Sequence, residues 1–238
     1  MTNAVEHTHE IGAKSLRARL ALALDVEDLP RARALAHELR DYFAIVKVGL
    51  ELFVAEGPAA IETFIEEGFA VFADLKLHDI PTTVGRAARA IAKHGPSYVT
   101  VHTSGGLEMM KAAVEGLSEG AFGATAPVAF GITVLTSDAE APTALLGERA
   151  RLGKAAGLGG LVCAAPDLPL VAAEAPGLLR VVPGTRPPGA PSNDQARVAT
   201  PAEALALGAD LLVIGRAVTA ASDRVRAAEL LITSLRSQ

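Results

Sequence analysis

A single cysteine, Cys163, excludes an internal disulfide, and its setting in the apolar run GGLVCAA marks it as a small core residue in a reducing compartment rather than a nucleophile. An excess of positive charge is also missing. The formal net charge is −5 with acids and bases interspersed, so no broad basic face exists to neutralise a nucleic-acid backbone or hold an anionic membrane. Long hydrophobic runs are absent near the start: Leu20 to Leu24, behind Arg17 and Arg19, is far too short for a membrane span or a signal core, and a cytoplasmic protein is expected. The first apolar run continues as LALALDVEDLP, with neither GxGxxG nor GxxxxGK[ST], which argues against a nucleotide-binding open sheet. No motif for a covalently held cofactor is present.

What remains is 238 residues, 50% hydrophobic and 21% charged, a mix that suits one folded globule with a large core. Before Leu20 the sequence shows no clear period, so residues 1–19 read as a loose N-terminal extension and 20–238 as a single domain. His7, His9 and Glu10 in that extension could ligate a metal, but three ligands without a scaffold bind weakly, and no metal is expected. From Leu20 onward, short apolar runs without polar alternation are each followed by a longer amphipathic segment, the pattern of parallel strands covered on both faces by helices. The candidate strands are Leu20 to Leu24, Ala44 to Val48, Ala70 to Lys76, Tyr98 to Val101, Val128 to Leu135, Gly160 to Ala164, Leu179 to Val182 and Asp210 to Ile214. Pro30 and Pro81 suit first helical turns, Gly57, Gly68, Gly95 and Gly208 suit helix ends, and a short helix is expected around Thr143 to Ala156. Right-handed βα units repeated this often predict an α/β fold of the (β/α)8, or TIM-barrel, type.

In such a barrel the chemistry emerges at the C-terminal ends of the strands, so polar residues that finish apolar strands carry the information. Asp25 ends strand one, Lys47 falls late in strand two, Asp74 and Lys76 finish strand three, His102 follows strand four and Thr136 follows strand five. In AVFADLKLHDIP a period of two puts Phe72, Asp74 and Lys76 on one face. If that face looks into the barrel, an unpaired charge there would cost several kcal/mol and must find a partner. Lys47 and Asp79 are candidates, and Asp79, off the parity, could fold back over Lys76 or reach a neighbouring subunit. A second constellation lies in VVPGTRPPG and VIGRAV, after strands seven and eight, where barrels often bind phosphate. Gly184 and Gly215 allow close backbone approach, and Arg186 and Arg216 supply bidentate charge for a dianion.

From LALD through KVGLELF, DLKLHDIPTT, VHTSGG, VLTS, NDQARVATP and IGRAV, in this order and spacing, the sequence resembles the orotidine 5'-phosphate decarboxylases over nearly its whole length. Related sugar-phosphate decarboxylases and aldolases share DxKxxD and use magnesium, but they are expected to carry Glu where this chain has Lys47 and to lack NDQARVATP. The resemblance implies a carboxy-lyase that makes UMP without a cofactor, the last step of de novo pyrimidine nucleotide biosynthesis, working as a cytoplasmic homodimer. It implies that Lys76 donates the proton to C6, that Asp74 lies near the departing carboxylate, and that Asp25 and Lys47 bind the ribose hydroxyls. It further implies that Asp79 is contributed across the dimer interface, that Thr83, Thr136 and Gln195 contact the substrate, and that Arg186, Gly215 and Arg216 hold its phosphate.

Overall fold

Eight of the apolar runs pair side by side, all parallel, and close on themselves in the order β1 to β8 in a computed structural model that describes residues 16–135, 142–186 and 199–236. The strands are β1 Leu20–Ala23, β2 Ile45–Val48, β3 Ala70–Leu77, β4 Tyr98–His102, β5 Val128–Ile132, β6 Gly160–Val162, β7 Leu179–Pro183 and β8 Leu211–Ile214. Closure is made by β1 against β8, with Leu20 opposite Leu212 and Leu22 opposite Ile214. The helices are α1 Leu29–Glu38, α2 Leu50–Glu56, α3 Ala59–Glu66, α4 Pro81–Ala92, α5 Gly106–Gly120, α6 Thr143–Ala155, α7 Leu168–Glu174, α8 Pro201–Ala206, α9 Arg216–Thr219 and α10 Arg224–Arg236. The fold is the (β/α)8 barrel that the alternating pattern predicts.

Continuous apolar strands follow from burial on both faces. One shell, including Leu20, Leu22, Val46, Val48, Val71 and Ala73, packs outward against the helices. The alternate residues Ala21, Ala23, Ile45, Phe72, Tyr98 and Phe130 fill the barrel itself. Phe130 stacks on Tyr98 at 4.8 Å between ring centroids and meets Phe72 edge-on at 5.4 Å, so the interior is a packed plug and not a pore.

Helix boundaries follow local chemistry. Asp28 caps α1 by accepting from the Arg31 N–H at 2.8 Å, with Pro30 in the first turn. Thr200 and Glu203 form a reciprocal capping box at α8. The expected strand Val128 to Leu135 stops at Ile132: the Thr133 N–H makes the last bond of the β5–β6 ladder, to the Val162 carbonyl, and its hydroxyl donates to the same oxygen. The stretch expected to be a loose extension is anchored at its end. Leu16–Arg19 forms a 3-10 turn, and the Arg19 guanidinium donates to the Ala209 carbonyl at 2.7 Å. Residues 1–15, including His7, His9 and Glu10, lie outside the described residues. No helix among the described residues is long and apolar enough to cross a membrane.

Candidate active site

The polar residues that finish β1, β2 and β3 meet at the mouth of the barrel. Inward parity brings Lys47 from β2 beside Asp74 from β3, and the loop after β1 adds Asp25. The Lys47 Nζ lies 2.9 Å from Asp25 Oδ1 and 3.5 Å from Asp74 Oδ2, and the Lys76 Nζ lies 2.7 Å from the same Asp74 Oδ2. Asp25, Lys47, Asp74 and Lys76 thus form a string of alternating charge. Its inner members are largely withdrawn from water, with side-chain exposures of 10% for Lys47 and 12% for Asp74 against 33% for Lys76. Breaking a buried pair of this kind by removing one partner costs about 3–5 kcal/mol.

The pleat alone does not aim Lys76. Its φ is +51°, a left-handed conformation that costs a side-chain-bearing residue about 1–2 kcal/mol. There the β3–β4 register slips: Ala73 pairs with Val99 but Leu77 with Val101, so β3 advances four residues while β4 advances two. Lys76 keeps the expected face, and a bulge changes the backbone conformation that presents it. Thr100 of β4, fully buried and not singled out by the motifs, fills the gap with its hydroxyl. The hydroxyl accepts from the Lys76 N–H at 2.8 Å and donates to Asp74 Oδ1 at 3.1 Å.

Burial pushes the Asp74 carboxyl up, but the charges of Lys47 and Lys76, with hydrogen bonds from Lys76 and Thr100, outweigh it and hold the group below the ordinary carboxylate range. Asp74 is therefore ionised at neutral pH. His102, whose ring lies tilted against that of His78 with centroids 5.3 Å apart, is pushed down by burial and then by the electrostatic influence of His78, Lys76 and Arg149.

A cavity of about 250 Å³ opens above the charged string. Asp25, Lys47, Asp74 and Lys76 line one side, while Gly184, Arg186, Gly215 and Arg216 from the loops after β7 and β8 line another. Arg186 is only 6% exposed, and its N–H donates to the Ala199 carbonyl, tying this loop to the start of α8. Gly184 takes φ +75°, which explains a glycine at that turn. Two expected site residues stand elsewhere. Asp79 is exposed, its Oδ1 accepts from the Ile80 N–H at 2.6 Å, and among the described residues no ion pair joins it to Lys76, so it does not fold back within the chain. Thr83 is exposed in the first turn of α4 and does not line the cavity. Thr136 and Gln195 lie outside the described residues.

One basic wall, one string of alternating charge and an aromatic floor in a (β/α)8 barrel narrow the family, and comparison with known proteins decides it. Residues 18–231 match the family described as orotidine 5'-phosphate decarboxylase / HUMPS. The chain belongs to that family. It is 46% identical over 228 residues to the orotidine 5'-phosphate decarboxylase of Anaeromyxobacter sp. (strain K), covering 91% of this chain and 98% of the relative. The enzyme of the same name from Thermobifida fusca is 43% identical, covering 92% of this chain and 97% of the relative. The crystal structure of orotidine 5'-phosphate decarboxylase from Lactobacillus acidophilus superposes with a TM-score of 0.79 at 32% identity, covering 91% of this chain and 98% of that one. Within the orotidine 5'-phosphate decarboxylase / HUMPS family, the residues at the strand ends decide which branch's chemistry the site can support.

Proposed function

We propose that the protein decarboxylates orotidine 5'-phosphate to UMP without a metal or organic cofactor, with Lys76 as the acid that protonates C6. The observation that carries this reading is the Asp25–Lys47–Asp74–Lys76 string facing a cavity with two arginines on another wall. Loss of CO2 breaks the C6–carboxylate bond and leaves the electron pair on C6, with no adjacent carbonyl to accept it. The ammonium of Lys76, fixed by Asp74, stabilises that pair as it forms and then transfers a proton to C6. Asp74, ionised and beside the leaving carboxylate, disfavours the substrate's charge and favours neutral CO2. Lys76 regains its proton from solvent, and the balance of the reaction is one proton taken up and one CO2 released.

Arg186 and Arg216, with Gly215 at the start of α9, provide the charge and backbone access for the phosphate. Asp25 and Lys47 bind the ribose hydroxyls, Thr136 and Gln195 add substrate contacts, and Thr83, which does not line its own cavity, reaches the substrate of the other copy alongside Asp79. The magnesium-dependent branch of the family fits less well. The carboxylates that could supply oxygen ligands, Asp25 and Asp74, are already bridged by the Lys47 ammonium, and a divalent cation beside it would meet like charge.

Asp79 points to a homodimer. It is exposed beside Ile80, an apolar side chain that is itself 65% exposed, as residues of an interface between copies would be. Across a two-fold interface Asp79 of each copy would close the string of the other. The test is spectrophotometric consumption of orotidine 5'-phosphate. Wild type turns over with a chelator present, and Lys76→Ala loses turnover by roughly 1,000-fold or more. Equal rates for the two proteins would reject Lys76 as the acid, and loss of wild-type activity to the chelator would restore the magnesium branch.

A further inference from the structure

We propose that Thr100, which does not line the cavity, is the positioning residue that holds Lys76 and Asp74 in their reacting geometry. This rests on the decarboxylase reading for its consequence and on the strand geometry for its substance. Where the β3–β4 ladder slips between Ala73 and Leu77, a backbone N–H at Lys76 is left without its ladder partner, and the Thr100 hydroxyl takes that role at 2.8 Å. The same hydroxyl donates its proton to Asp74 Oδ1 at 3.1 Å, on the oxygen opposite the one that both lysines approach. One side chain therefore determines where the Lys76 backbone turns and which way the Asp74 carboxylate faces.

A β-branched residue on an inner strand has little rotamer freedom, so the hydroxyl is aimed before substrate arrives. Thr100 is fully buried, so water cannot substitute for it. The groups acting on Asp74 are Lys47 and Lys76, with Asp25 beyond Lys47 and His102 at the end of β4. Thr100 is the uncharged donor among them, and it adds to the pull that keeps the carboxylate ionised.

The decisive pair is Thr100→Val, which keeps the shape and removes the hydroxyl, and Thr100→Ser, which keeps the hydroxyl. Thr100→Val is expected to lower kcat by roughly 10-fold while KM changes by less than about 3-fold, since Thr100 does not line the cavity. Its kcat/KM profile should also move to higher pH on the acid limb, as Asp74 loses a donor to its charged form. Thr100→Ser should restore both. Wild-type kcat and an unmoved acid limb in Thr100→Val, or a Ser variant as impaired as the Val variant, would overturn the assignment. If wild type fails to consume orotidine 5'-phosphate, the decarboxylase reading falls, and Thr100 is then judged by crystal structures of the variants. There, Thr100→Val that still holds the Lys76 Nζ at 2.7 Å from Asp74 with Lys76 at φ near +51° would overturn it.

Discussion

His102 stands at the end of β4, its ring tilted against that of His78, in a setting that burial and nearby positive charge make hostile to a second proton. Its folded value lies below the ordinary imidazole range of about 6.5, so the unfolded chain binds this proton more readily than the native one. The stabilisation is therefore present above the ordinary range and is lost as pH falls from there through the depressed native value. Urea midpoints measured at pH 7.5 and 5.5 should fall with pH in wild type and fall less in His102→Gln. An equal fall in both proteins would place the acid sensitivity elsewhere. At the same scale, Asp74 remains charged through this whole window, because its own depressed value confines its titration to more acidic conditions.

At the scale of elements, α4 and α5 pack more closely than side chains normally allow. A Cβ added at Gly116 of α5 would stand 2.2 Å from the Gly85 carbonyl oxygen of α4, and one at Gly120 would stand 2.2 Å from the Arg89 carbonyl. Both obstacles are backbone, so relief requires the helices to separate. Gly116→Ala should therefore destabilise by about 3 kcal/mol or more by chemical denaturation, despite the higher helix propensity of alanine. A neutral result would mean that α4 slides freely. Since α4 begins at Pro81, two residues after Asp79, this contact also holds the helix start that carries Thr83 and the loop before it that carries Asp79. In β3 a regular strand would have kept Lys76 on the inner face by parity; the bulge keeps the face and changes the backbone conformation that presents it.

For the whole molecule, the proposed sharing of Asp79 between copies predicts a result that a monomer cannot imitate. Lys76→Ala and Asp79→Ala proteins should each be nearly inactive alone. Once mixed and allowed to exchange subunits, random pairing regenerates one intact site in each heterodimer and about a quarter of wild-type activity. Absence of recovery despite demonstrated exchange would mean that Asp79 does not serve the other copy's site.

Strand and helix order, the closed barrel and the four charged residues that finish β1, β2 and β3 were legible in the chain itself. Apolar runs of strand length alternate with amphipathic segments, and polar residues at strand ends can only point to the mouth once the sheet closes. Boundaries were less legible: nothing in VAFGITVL marks Ile132 as the last strand residue, since the β5–β6 ladder ends with the Thr133 N–H bond to Val162, a residue distant in sequence. Thr100 carried a faint signal, a hydroxyl at inward parity in an apolar strand, but its role depends on a register slip between two strands. Covalent order and side-chain period thus determined the architecture and the chemical types at its mouth. Only tertiary packing decided that Lys47 bridges Asp25 and Asp74, that Lys76 adopts a left-handed turn, and that Asp79 stands exposed outside the lining of its own cavity, because each depends on distances between strands that no local pattern encodes.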